Sequence, residues 1–236
     1  MNDQFSRTVN LFGQDKYELI ISKKIIVFGV GGVGSSAIEA LVRFGFKSIT
    51  IVDYDRVDET NLNRQIFSNR SNIGMFKCLT MRERIKSINP GTNINYYIKR
   101  VSFSFEKFNL KEYDYVIDAI DSVGAKINLI EYCNKKSIPI ISSMGTGNRI
   151  DTSKLKVMDI FETKNDPLSK VIRQELRKRG VSKQKVISSI ELPRVKSKRE
   201  NGARKSSPLS VSYVPPVAGY IMVSEIIKEI MEQTYE

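Results

Sequence analysis

The sequence contains no histidine, the residue that most often serves enzymes as a general base or a metal ligand. Any chemistry must therefore depend on Asp, Glu, Lys, Arg and backbone groups. Only two cysteines occur, Cys78 and Cys133, and they form no CxxC pair, so we expect neither a disulfide framework nor a structural zinc site. Each lies within a predicted helix, and we predict that both are packing residues rather than nucleophiles.

Long apolar runs are also absent. No stretch approaches the roughly 18 residues that a membrane span requires, and the first ten residues are too polar for a secretory signal, so we expect a cytoplasmic protein. With 236 residues, 41% of them hydrophobic, the composition predicts one domain over residues 1–236. Within it we expect a helical arm over residues 1–22 and a basic, partly mobile, substrate-facing segment over residues 164–207.

Positive charge is concentrated in that segment. The whole chain carries a net charge of +12, and residues 164–207 contain 14 Lys and Arg against 4 Asp and Glu. Aromatic residues are missing from 173–207, so the pattern favours contacts with phosphates rather than base stacking. A membrane surface or simple solubility is the alternative. Residues 182–207, rich in Lys, Arg and Ser, predict a mobile loop.

A glycine cluster separates the first apolar run from a helix-like segment. Gly29, Gly31 and Gly34 fit G-x-G-x-x-G, and the helical pattern that follows ends at Gly45. The tight turn and the free N–H groups of the helix start suit a phosphate, and Asp53, at the end of the next strand, suits a ribose. Glycines that only permit close packing are the alternative, and a dinucleotide such as NAD remains open at this point.

Alternating elements predict a doubly wound, Rossmann-like, mostly parallel α/β sheet. Strands are predicted at 24–30, 48–55, 93–101, 112–121 and 138–145, and helices at 10–24, 35–44, 74–88 and 131–137. A C-terminal extension is predicted to contain short strands at 155–161 and 209–214, the basic loop, and helices at 170–179 and 217–231.

Three groups of polar residues favour a triphosphate over a dinucleotide. They are Asn61, Asn63, Arg64 and Gln65 after the second strand, Lys77 at the start of a helix, and Asp118 and Asp121 at the end of a strand. A dehydrogenase has no need of Arg64. A carboxylate such as Asp121 facing phosphates requires a bridging cation, usually Mg²⁺ bound through one carboxylate and the phosphates.

In this order, GVGGVG, the strand ending at Asp53, TNLNRQI, GMFK and DAIDS resemble the ThiF/MoeB superfamily of ATP-dependent adenylating enzymes, relatives of the ubiquitin-activating enzymes. FSRT, NDPL, ISSIELP and SYVPPVAGYIMVSEIIKEI are similar to its tRNA threonylcarbamoyladenosine dehydratase (TcdA) branch, over essentially the whole chain. Gln4 and Ile190 depart from the usual arginine and threonine of that branch.

The resemblance implies an enzyme that cyclises N6-threonylcarbamoyladenosine in tRNA to its hydantoin form. The nucleoside carboxylate would attack the α-phosphate of ATP, pyrophosphate would leave, and ring closure would release AMP. A carboxylate is already ionised near pH 7, so its attack needs no general base and no histidine.

The resemblance also implies roles for individual residues. ATP would be bound by Gly29, Gly31, Gly32, Gly34, Asp53, Asp55, Asn61, Arg64, Gln65, Lys77 and Asp121, with Mg²⁺ held by Asp121. The catalytic residues would be Arg7, Asn61, Arg64, Lys77 and Asp121. Arg7 would reach the phosphates of a neighbouring subunit, which implies a homodimer; a flexible surface arginine is the alternative. The sequence leaves open whether a sulfur-transfer or electron-donor protein assists.

Other functions compete with this interpretation. Activation of the C-terminal glycine of a ubiquitin-like sulfur carrier uses the same adenylation site, but the missing CxxC pairs and the basic segment argue against it. An NAD-dependent oxidoreductase would leave Arg64, Lys77 and Asp121 without a role. A nucleotide-sensing protein without turnover would not need so complete a set of phosphate-binding residues.

Overall fold

A computed structural model of the chain describes residues 3–101, 104–195 and 209–232. The helices are α1 (Ser6–Phe12), α2 (Gln14–Ser22), α3 (Gly32–Phe44), α4 (Lys77–Ile88), α5 (Val123–Lys135), α6 (Pro167–Lys178) and α7 (Val214–Glu232). The strands are β1 (Lys24–Phe28), β2 (Ser48–Val52), β3 (Asn93–Tyr97), β4 (Tyr115–Asp118), β5 (Ile140–Ser143), β6 (Leu155–Asp159) and β7 (Lys185–Ser189). Short 3-10 turns occupy several of the connections.

The strands form a single seven-stranded sheet in the order β3-β2-β1-β4-β5-β7-β6. All neighbouring pairs are parallel except β6 and β7, which run antiparallel at one edge. The order of the strands reverses between β1 and β4, the switch point where doubly wound sheets bind ligands at their carboxyl ends. The predicted doubly wound, mostly parallel fold is confirmed.

Helices cover both faces of the sheet. One apolar layer combines α3, α4 and α7 with one face of β1 and β2, and the other combines α5 and α6 with the opposite face. Burial on both faces explains why the central strands β1, β2 and β4 read as nearly continuous apolar runs. Gly219 permits a close contact between two helices: a Cβ there would lie 2.4 Å from the Val33 carbonyl oxygen, so α7 packs directly on the first turns of α3.

Three sequence predictions about elements are wrong. The helix predicted over 10–24 is two helices, because Gly13 at φ +83° breaks it. Residues 209–213 form no strand; α7 begins at Val214 instead, with prolines in its first turn, where a missing N–H costs nothing. Residues 185–189, predicted as part of a mobile loop, form β7 within the sheet. The remainder of that predicted loop from residue 196 lies outside the described residues.

None of the helices in the described part of the chain combines the length and the apolar character needed to cross a membrane.

Candidate nucleotide-binding site

The carboxyl ends of β1, β2 and β4, with the loops that follow them, bring most of the predicted site residues together; we call this region the switch-point edge. Its centre is the turn from β1 into α3. Gly29 has φ +92°, and a Cβ there would lie 2.5 Å from the Ala119 carbonyl oxygen. A Cβ on Gly34 would lie 1.8 Å from the Gly29 carbonyl oxygen. These two glycines are therefore required by packing alone.

Gly31 differs from them. A Cβ on this residue would meet no atom within 4 Å, so the backbone here borders open space. Gly31 is also the N-cap of α3, and no side chain caps that helix. The first N–H groups of the helix therefore remain available, together with the positive end of the helix dipole. This combination suits the close approach of an anion.

Asp53 fixes the glycine turn to the end of β2. One carboxylate oxygen accepts a hydrogen bond of 2.6 Å from the Val30 N–H, and the other accepts one of 2.7 Å from the Asp55 N–H. Burial raises the pKa of Asp53, and the charge of Lys77 opposes this only in part. Each oxygen has a second lone pair, so the carboxylate retains the capacity to accept from ribose hydroxyls.

Lys77 is the first residue of α4 and is buried. Its ammonium group lies 2.8 Å from a carboxylate oxygen of Asp55. The same two residues are joined through the backbone, since the Lys77 N–H donates to the Asp55 carbonyl oxygen at 2.9 Å. A pair fixed at both ends keeps this cation at the switch-point edge.

The loop after β2 carries Asn61, Arg64 and Gln65. The side chain of Asn61 closes a capping box by accepting from the Asp58 N–H. Arg64 lies against the glycine turn, because a Cβ on Gly32 would be 3.2 Å from its Cγ. Within the described part of the chain, the guanidinium of Arg64 donates only to oxygen atoms of this loop. The buried Oε1 of Gln65 has no partner among the described residues. Both side chains thus retain capacity for a ligand.

Asp118 is the last residue of β4 and Asp121 follows the strand, and the two carboxylates lie in different environments. Asp118 is fully buried, and its carboxylate forms an ion pair of 2.8 Å with Lys126, which is also fully buried. The other oxygen of Asp118 accepts from the Ile120 N–H at 3.1 Å, so this pair fixes the chain that leads to Asp121. Asp121 is exposed, and no hydrogen bond or ion pair in the described part of the chain occupies its carboxylate.

A metal at Asp121 would need ligands from elsewhere. No group of three or more Cys, Asp or Glu among the described residues is placed to hold an ion. One free, exposed carboxylate fits Mg²⁺ that takes its remaining ligands from phosphates and water.

Arg7 and the basic segment 164–207 were also predicted to serve the site, but they lie outside the contacts described above. Arg7 is exposed on α1, and nothing in residues 3–101, 104–195 and 209–232 of one chain links its side chain to the switch-point edge. In the basic segment, Arg179 pairs with Glu131, and Lys185 pairs with Glu225 of α7. Part of the local charge is therefore neutralised by acids from other elements.

Both cysteines are buried and free, as expected of packing residues. Burial raises the pKa of Cys78 to about 12 and also raises that of Cys133. Neither thiol is ionised near neutral pH, so neither is an activated nucleophile.

Sequence reasoning missed Lys126 as a member of the site. The available signal was a lysine inside the apolar pattern of α5, eight positions after Asp118. A lysine buried in such a pattern requires a carboxylate partner.

Comparison with protein families gives a match to the ThiF family over residues 5–236. The chain belongs to the ThiF family. A relative from Bacillus subtilis, tRNA threonylcarbamoyladenosine dehydratase, is 39% identical over 247 residues, covering 98% of this chain and 96% of that protein. The Escherichia coli protein of the same name is 41% identical over 175 residues, covering 74% of this chain and 65% of the relative.

Solved structures of the ThiF family agree with this relationship. The crystal structure of the Escherichia coli dehydratase TcdA in complex with ATP has a TM-score of 0.85 and 33% sequence identity, covering 98% of this chain and 95% of that chain. The similarity extends over the whole fold, including the C-terminal extension.

Proposed function

We propose that this chain catalyses the ATP-dependent dehydration of N6-threonylcarbamoyladenosine in tRNA to its cyclic form. The observation that carries the proposal is the similarity to the Bacillus subtilis dehydratase over nearly the full length of both chains. The geometry of the switch-point edge supports it, because Asp53, Lys77 and the uncapped amino end of α3 lie together there.

ATP would occupy the switch-point edge. Its phosphates would lie over Gly31 and the amino end of α3, and Asp53 would accept from the ribose hydroxyls. Asn61, Arg64 and Lys77 would contact the triphosphate, and Asp121 would hold Mg²⁺, which neutralises charge on the phosphates. We infer these roles from the free donors at α3, the partnered carboxylate of Asp53 and the unoccupied carboxylate of Asp121.

The reaction then needs positioned cations rather than a base. The ionised carboxylate of the nucleoside attacks the α-phosphorus, a carboxyl–phosphate bond forms, and pyrophosphate leaves. A nitrogen of the same substituent next attacks the acyl carbon, its proton is lost, and AMP leaves with the oxygen that the carboxylate contributed. Ring closure is intramolecular, so geometry supplies much of its rate and no cysteine is required.

Partners are part of the proposal. The tRNA would contact the basic segment 164–207 through its phosphates, where Lys164, Lys170 and Lys183 are exposed and form no ion pair with the described residues. A second copy of the chain would place its Arg7 at the phosphates. Arg7 is exposed, and no hydrogen bond or ion pair among the described residues joins it to the switch-point edge of its own chain.

Mass spectrometry of nucleosides tests the proposed function. We expect tRNA bearing threonylcarbamoyladenosine, incubated with the protein, Mg²⁺ and ATP, to lose one water from that nucleoside while AMP appears in the same reaction. No mass change, with AMP and pyrophosphate formed only when a ubiquitin-like carrier protein is added, would instead assign the chain to carrier activation.

A further inference from the structure

A second polar region lies at the carboxyl ends of β5 and β7, which we call the distal edge. It consists of the loop 145–150 and the side chains around it. The guanidinium of Arg149 is buried there, with the residue only 2% exposed. Its Nη2 donates to the Asn165 carbonyl oxygen at 2.7 Å, whereas Nε and Nη1 have no partner among the described residues.

The nearest carboxylates are already occupied by other donors. Asp166 accepts from the Gly145 N–H and from two donors of the first turn of α6. Glu191 accepts from the N–H groups of residues 150 and 151 and from Arg194. Burial lowers the pKa of Arg149, while the charges of Asp166 and Glu191 act in the opposite direction at a distance. Among the described residues Arg149 is therefore a buried cation without a direct counter-ion, an expensive arrangement for structure alone.

Other polar atoms of this region also lack partners. The Oδ1 of Asn148 and the hydroxyls of Ser142 and Ser188 are buried and form no hydrogen bond with described residues. The strand register places Ser142 beside Val186, so Ser142 and Ser188 lie on the same face of neighbouring strands. Residues 145–148 are only half-buried, so solvent reaches the loop that carries Arg149.

The position of the distal edge indicates which molecule it faces. Asp53 follows β2, on one side of β1, whereas β5 and β7 lie on the other side, beyond β4. A nucleotide that extends from Asp53 to Asp121 leaves the distal edge free. The second substrate must bring its carboxylate to the α-phosphate from a side that the nucleotide does not occupy.

We propose that Arg149 is a substrate-recognition residue that binds an oxyanion of the modified RNA through its free Nε and Nη1 groups. Charge-assisted hydrogen bonds from a guanidinium suit carboxylate and phosphate oxygens alike, so the oxyanion is either the threonyl carboxylate or a phosphodiester beside the nucleoside. This inference rests on the proposed function and adds the residue that selects its substrate.

Substitution of Arg149 by glutamine tests the inference, with Arg43→Gln as the control. Arg43 is a half-exposed arginine on α3, and its partner Glu39 keeps a second arginine, Arg84. Binding is measured with three probes: the free modified nucleoside, a modified anticodon stem-loop, and the same stem-loop without the modification. ATP affinity is measured in parallel.

We expect Arg149→Gln to weaken binding of the modified stem-loop about thirtyfold or more, the usual result of removing one partner of a buried charged contact. ATP affinity and the control variant should match the wild type. A loss confined to the two modified probes identifies the carboxylate, and a loss confined to the two stem-loops identifies a phosphodiester. Unchanged binding of all three probes by a folded variant would overturn the inference.

If Arg149→Gln does not fold, Asn148→Asp provides a second test of the role of Arg149. Asn148 has φ +58°, a conformation that aspartate also tolerates, and the change adds a negative charge at the residue that precedes Arg149. We expect a folded protein that binds the modified stem-loop more weakly, because the added negative charge repels the RNA oxyanion. Wild-type affinity in this variant would contradict the inference.

Failure of this inference is distinguishable from failure of the proposed function. If the wild type dehydrates the nucleoside and both Arg149→Gln and Asn148→Asp bind the RNA normally, only the role of Arg149 is wrong. If the wild type binds the stem-loop but does not dehydrate it with ATP, the proposed reaction itself is wrong.

Discussion

The switch-point edge and the distal edge lie at the same end of one sheet, but they differ in how their polar groups are satisfied. At the switch-point edge Asp53, Lys77 and Asp118 each have a protein partner within 2.8 Å. At the distal edge Arg149 and Asn148 retain buried atoms with no partner among the described residues. The charged groups of the first region are thus organised before any ligand binds, although Gln65 keeps a buried oxygen without a described partner, whereas the distal edge leaves even a buried cation without a partner among the described residues.

Breaking the buried pair beneath the switch-point edge should have the largest effect on stability. Lys126→Met leaves the Asp118 carboxylate buried without a counter-ion, and we expect a loss of about 3–5 kcal/mol in the free energy of unfolding. Denaturant unfolding measures it. Lys135→Met is the matched control on the same helix, since that exposed pair with Glu131 should contribute less than about 1 kcal/mol.

A double variant separates the contributions of charge and of packing to the stability that the Lys126–Asp118 pair provides. Lys126→Met combined with Asp118→Asn removes the unpaired charge and keeps an acceptor for the Ile120 N–H, so it should recover part of the lost stability. A double variant as unstable as the single one would show that packing, rather than charge, decides the role of Lys126.

Removal of Asp121 should affect turnover and leave the fold intact. Its carboxylate is exposed and has no partner in the described part of the chain, so Asp121→Ala should not change the melting temperature. AMP formation should fall by about 10²–10³-fold, because in the proposed mechanism this carboxylate holds the cation that neutralises charge on the phosphates. Asp15→Ala, an exposed aspartate on α2, is the control. Unchanged turnover would remove Asp121 from the site.

The sequence predicted features that depend on local patterns and missed features that depend on contacts between distant segments. The location of Gly31, Asp53 and Lys77 at the switch-point edge was predictable because each residue stands at a fixed position relative to an apolar run or a helix start, and such patterns are local. β7 was missed because its surroundings are rich in Lys and Ser, and its burial depends on pairing with β5, more than 40 residues earlier. Residues 209–213 alternate like a strand, but the prolines of the next turn favour the start of α7.

Burial of charge was the least predictable property. Lys126 and Arg149 have no local signal comparable to a glycine motif, and both read as ordinary surface cations until the sheet places them under other elements. The carboxylate that pairs with Lys126 lies on the preceding strand, so only tertiary structure reveals the pair. Arg149 was not predicted at all.

Substitutions of Gly34 and Gly31, two glycines of one motif, should have the smallest effects and give the most specific test of the switch-point edge. Gly34→Ala places a methyl group 1.8 Å from the Gly29 carbonyl oxygen, a backbone atom, so α3 must shift and the protein should lose about 1–3 kcal/mol of stability. Gly31→Ala places its methyl group in open space at φ −86°, so stability should stay within about 0.5 kcal/mol of the wild type.

ATP affinity should distinguish the two glycine variants further. Gly31→Ala should bind ATP more weakly in a fully folded protein, because the methyl group occupies the space through which a phosphate approaches the amino end of α3. Thermal unfolding and ATP titration of both variants measure the two effects separately. If Gly31→Ala binds ATP like the wild type, the phosphates do not lie over this turn, and the glycine motif serves packing alone.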